Sequence, residues 1–230
     1  MQFNIKMINI LKEILLRLRH EESLESIQAD FDQHFKNVSV VDQLFMQLEL
    51  INGDYGITIE DVKKFSRNVN PMNEKGVSTN YHPGHPVQVF KEENTAFQVV
   101  LNQIDRLLES LEEGQNETQK TDRLDELKQH IFRLGEFHIH YNRKEKLFFP
   151  IMERYGHYAP TRTVWRVDIR ICALYQALKR QFVQQYVDVT RVRKRYNTFK
   201  EEFIGMIYQE EALILPILQS LFSYDDWSVI

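Results

Sequence analysis

Lys144-Glu145-Lys146-Leu147-Phe148-Phe149-Pro150 and Glu210-Glu211-Ala212-Leu213-Ile214-Leu215-Pro216 are two versions of one phrase, a carboxylate followed by an apolar run and a closing proline. The carboxylate central to each copy, Glu145 or Glu211, sits among helix positions that are otherwise apolar or aromatic. Two such helices facing each other would hold acids inside a bundle. Buried acids need a partner, and a metal ion is the commonest one that accounts for several of them together.

Outward from the phrase, glycine and proline are scarce and clustered, and apolar residues recur at helical spacing, so the chain is predicted to be all-α. Leu11, Ile14, Leu15 and Leu18 begin a first helix; Leu24, Ile27, Phe31 and Phe35 mark a second; Leu44, Phe45, Leu48 and Ile51 mark a third. Gly53 to Gly56 stops the third, and Thr58 with Glu60 and Asp61 opens a fourth with acids in its first turn, as the helix dipole prefers. From Asn70 to Pro86 the pattern gives way to Pro71, Gly76, Pro83, Gly84 and Pro86 among short polar residues. This break predicts a small N-terminal helical domain, 1–75, followed by a bundle over 76–230. Four longer helical stretches follow, roughly 86–112, 121–155, 161–186 and 190–222. The break near Asp188 has neither glycine nor proline, and resolves the last two only weakly. Short connections suggest an up-down-up-down four-helix bundle.

At 230 residues the chain can bury a sizeable core, and a net charge of −4 gives no general pull toward nucleic acid or an anionic membrane. One cysteine, Cys172, excludes an intrachain disulfide framework and fits a reducing compartment. The stretch 1–19 is apolar at helical spacing but interrupted by Lys6, Lys12, Glu13 and Arg17, which reads as an amphipathic helix of a cytoplasmic protein, without signal or membrane span. A phosphate loop, a nucleophile elbow and Cys/His zinc spacing are missing from the sequence. The basic run Arg191 to Arg195 reads as a solvated face.

Several residues could carry chemistry, each beside a plainer reading. His85 precedes Pro86, which suits a first helical turn, so His85 falls near an N-cap and is either a ligand or a capping group. His138 and His140 lie two apart and cannot face the same way. Ideal geometry aligns His138 with Glu145, whereas His140 joins Glu145 only if the helix loosens locally. The plain alternative has surface histidines and Glu145 paired with Arg143 or Lys146. Asp168, flanked at helical spacing by Trp165 and Ile171, should look inward, or else pair with Arg166 or Arg170. Met206 stands five before Glu211, the place His140 holds before Glu145. Oxygen and imidazole donors from four helices suit a non-haem iron or manganese pair better than zinc or copper.

These phrases resemble the hemerythrin-like HHE cation-binding family, in the branch preceded by a helical region called domain of unknown function 438. The resemblance is carried by Pro83-Gly84-His85-Pro86-Val87 with Phe90-Lys91 and Glu93-Asn94, by His140-Tyr141 with Arg143-Lys144-Glu145, by Trp165 with Asp168, and by Glu210-Glu211. Leu11-Lys12-Glu13-Ile14 through Ile59-Glu60-Asp61-Val62 is similar to the preceding region. The resemblance implies a bundle holding two iron ions, with manganese or zinc as alternatives, on His85, His140, Glu145, Asp168 and Glu211, with Glu210, Glu93 and His138 as additions. It implies a small diatomic ligand, such as oxygen or nitric oxide, or iron handling, rather than a defined turnover. Asp168 and Met206 replace histidines common in the family, and Ser66 to Val69 lacks an expected Cys and His. These departures keep open a metal-free bundle that acts as a protein-interaction or regulatory module through its N-terminal helices. Haem on His85 or His138 is a third reading.

Overall fold

The computed structural model describes residues 5–70, 81–111, 117–184 and 186–230. Most of the break at Asn70–Pro86, and Gly114 and Asn116 of the next break, lie outside these residues. The described residues are all-α, with no strand among them. None of their helices is long and apolar enough to cross a membrane. The chain divides into two compact units, one of Met1–Tyr81, Leu147–Val167 and Tyr208–Ile230, the other of His82–Lys146 and Asp168–Ile207.

In the first unit the four expected N-terminal helices are α1 (Ile5–Arg19), α2 (Leu24–Phe35), α3 (Val40–Asn52) and α4 (Ile59–Asn68). Ile8, Leu11, Ile14, Leu15 and Leu18 bury one face of α1 against Ile27, Phe31 and Phe35 of α2 and Val62 and Phe65 of α4. Ser23 and Ser39 cap α2 and α3 by accepting from Ser26 N–H and Asp42 N–H. Thr58 and Asp61 form a capping box on α4, and Asp61 also accepts from Arg19 Nε at 2.9 Å. Burial would raise the Asp61 carboxyl; the bonds from Arg19 and Thr58 outweigh it and hold it at about 2.

The second unit contains α5 (Pro86–Ser110), α6 (Glu117–Leu134), α7 (Phe137–Arg143), the C-terminal part of α9 (Tyr158–Lys179) and most of α10 (Val189–Gln209). Their shared core centres on Phe137, whose ring meets Tyr141, Tyr175, Phe199 and Phe203 within 5.8 Å. Tyr196 donates its hydroxyl to Leu101 O, tying α10 to α5. Asp188 marks the start of α10: its Oδ1 accepts from Arg191 N–H and its carbonyl from Val192 N–H. An aspartate N-cap thus makes the break that lacked glycine and proline.

The stretch expected as one helix over 121–155 is interrupted twice. At Gly135 the amide bonds to Phe132 O instead of Ile131 O, and the Tyr175 hydroxyl takes Ile131 O at 3.2 Å. A Cβ at Gly135 would lie 2.3 Å from that hydroxyl, so only glycine admits the tyrosine. The second interruption is a π turn, Lys144–Phe148, followed by α8 (Phe149–Arg154). The last helix repeats it: a π turn at Glu210–Ile214 leads into α11 (Leu215–Leu221), before the short α12 (Tyr224–Ser228). Proline in a helix cannot donate to the carbonyl four residues back and clashes with it. For Pro150 and Pro216 those carbonyls belong to Lys146 and Ala212, the middle residue of each π turn. The widened turn is how the helix accommodates the proline and continues.

Candidate metal centre

A π turn runs from Lys144 to Phe148, so Glu145, five residues after His140, stands on a widened turn while His140 lies on the α-helix before it. His140 is 1% exposed, while Ile139 beside it is open to solvent. The imidazole packs between Phe90 and Phe97 of α5, with ring centroids 4.3 and 5.6 Å away. Its Nδ1 lies 2.8 Å from Glu93 Oε2, and Arg143 donates to the other carboxylate oxygen. Facing a carboxylate, Nδ1 carries a proton, and the bond fixes the orientation of the ring. Burial alone would raise the Glu93 carboxyl, but the bonds from His140 and Arg143 prevail and hold it below the usual range. Arg143 therefore pairs with Glu93, where the plain alternative had paired it with Glu145.

His138 turns the other way, as the two-residue spacing demands. Its ring stacks on Phe137, meets Tyr175 edge-on and places Nδ1 3.3 Å from Cys172 Sγ on α9. Burial, and then the charges of Asp168 and Glu145, push the Cys172 thiol up to about 11. Burial and Lys179 push the His138 imidazole down. Both shifts favour the uncharged forms of the pair.

Asp168 and Lys144 form an ion pair at 2.9 Å, the lysine 0% exposed and the aspartate 1%. The ammonium also lies 4.1 Å from the centre of the Tyr141 ring. Asp168 does look inward with Ile171, but Trp165, expected on the same face, is half exposed. Asp168 thus pairs with Lys144, which the sequence reading did not offer, and Arg170 pairs with Glu202. Glu145 is half-buried. Met206 is fully buried as an apolar core residue.

His85 caps α5 as its position predicted: Gly84, at φ +94°, turns the chain, and His85 Nδ1 accepts from Val87 N–H at 3.2 Å. Burial lowers its basicity. Glu210 and Glu211 stand on the π turn of the first unit, Glu210 buried and Glu211 half-buried. Two residues of consequence, Lys144 and Asn94, stand in the phrases that carry the family resemblance but were assigned no role there. Asn94, 1% exposed, interrupts the apolar stripe of α5 between Phe90 and Phe97.

Among the described residues, no three His, Cys, Asp or Glu side chains are arranged to hold a metal ion. The donor chemistry at His140 nevertheless fits a cation: a buried imidazole with one nitrogen held by a carboxylate is the usual arrangement of a metal-binding histidine. Asp168, by contrast, already balances an ammonium.

Residues 85–218 match the family model described as Hemerythrin HHE cation binding domain, and residues 11–67 match Family of unknown function (DUF438). A comparison with curated proteins gave no match.

Proposed function

Because the chain belongs to the hemerythrin HHE cation-binding family, we propose that it binds non-haem iron and serves to sense or handle oxygen, nitric oxide or iron in the cytoplasm. The observation that carries the reading is the Glu93–His140 pair, which orients a buried imidazole for a cation. His140 would hold the metal, with Glu145, the carboxylate of the repeated phrase five residues on, as a further ligand; Glu93 and Arg143 keep the ring in place. When bound, the metal supplies an open coordination position for a small diatomic molecule. The division into 1–75 and 76–230 goes with this reading, the first part serving a protein partner. Protein purified anaerobically without chelators should contain iron, and His140→Ala should lose most of it. Unchanged metal content in that variant would overturn the assignment. Glu211→Gln tests the second copy of the phrase in the same way.

A second reading rests on the Lys144–Asp168 pair, in which the buried ammonium is the resident cation of a metal-free bundle. Removing one partner of such a pair costs about 3–5 kcal/mol. On this reading Lys144→Met unfolds the protein at a lower denaturant concentration, and added Fe(II) restores nothing. Restoration of the wild-type midpoint by Fe(II) would exclude it.

A further inference from the structure

Val87, Phe90, Asn94, Phe97, Leu101 and Ile104 line the buried face of α5. Asn94 is the polar member of that row. It stands about one turn beyond Phe90 and one turn before Phe97, and both rings pack on the His140 imidazole. The carboxamide is therefore at the level of His140. It is 1% exposed, and neither Oδ1 nor Nδ2 has a hydrogen-bond partner among the described residues.

An unsatisfied buried amide is costly, and a leucine would fill the same slot without that cost. Phe90 and Phe97 shield it on either side along the helix. A carboxamide oxygen is a neutral, hard donor of the kind that iron and manganese accept beside imidazole. We propose that Asn94 completes the His140 site as a neutral oxygen ligand through Oδ1. This rests on the metal-binding reading above and adds a donor that neither the repeated phrase nor the histidine pattern contains.

The test compares wild type, Asn94→Leu, Asn94→Asp and His140→Ala in anaerobic Fe(II) titrations, together with melting of the metal-free proteins. Asn94→Leu should weaken Fe(II) binding about tenfold or more, while its metal-free form melts above wild type because the orphaned amide is gone. Asn94→Asp keeps an oxygen donor and should bind at least as tightly as wild type. Wild-type affinity in Asn94→Leu, with binding lost in His140→Ala, overturns the role of Asn94 and leaves the metal reading standing. A metal-free Asn94→Leu protein that melts below wild type, with Asn94→Asp also weakened, would make Asn94 a structural residue and overturn the proposal. A wild type that binds no Fe(II) overturns both.

Discussion

Glu93 shows how one side chain decides what another can do. Its carboxylate orients the His140 ring, so Glu93→Gln should weaken Fe(II) binding by about tenfold or more without unfolding the protein. An equilibrium titration checks this. In the first unit, Asp61 is held at about 2 against an ordinary 3.8. Its folded value lies below its unfolded one, so the stabilisation is complete above about pH 4 and disappears as pH falls toward 2. Arg19 is 37% exposed, and solvent screening trims the contribution to roughly 1–2 kcal/mol. Urea midpoints of wild type and Asp61→Asn should therefore differ at pH 7 and converge as the solution is acidified toward pH 2. A gap that persists at low pH would contradict this. Asp61 was legible from the sequence as a first-turn acid. Its bond to Arg19 was not, because a partner 42 residues away leaves no local trace.

At the scale of elements, the helix starts were readable because caps are local: His85–Pro86 and Thr58–Asp61 both appear as expected. The break at Gly135 was not, because it depends on a tertiary partner. Gly135 is needed only because Tyr175 arrives from α9. Gly135→Ala should cost about 1–3 kcal/mol through overpacking, and Tyr175→Phe should recover part of it, read from thermal melts of the single and double variants. The π turns have a local cause, the proline four residues beyond the strained carbonyl. Pro150→Ala lets the helix tighten through Lys146, which should raise thermal stability. The same change should weaken Fe(II) binding, because it rewinds the turn that carries Glu145. Tighter binding in that variant would contradict a functional role for the turn.

For the whole molecule, composition and periodicity were sufficient for the all-α class, since the apolar repeats of α1, α5 and α10 extend over many turns. The two compact units could not be read in this way. Each gathers segments distant in sequence, and Leu147–Val167 and Tyr208–Ile230 group with the N-terminal helices. The charge arrangement around His140 was equally hidden: which cation meets Asp168 depends on packing between helices, and Lys144 and Arg143 look alike in the sequence. The central claim is that this family member holds a cation through His140. Anaerobic equilibrium titration of metal-free wild type and His140→Ala with Fe(II) tests it most directly. Saturable binding by wild type, weakened about tenfold or more in a folded His140→Ala protein, is the predicted result; equal binding by the two, or none by a folded wild type, would contradict it.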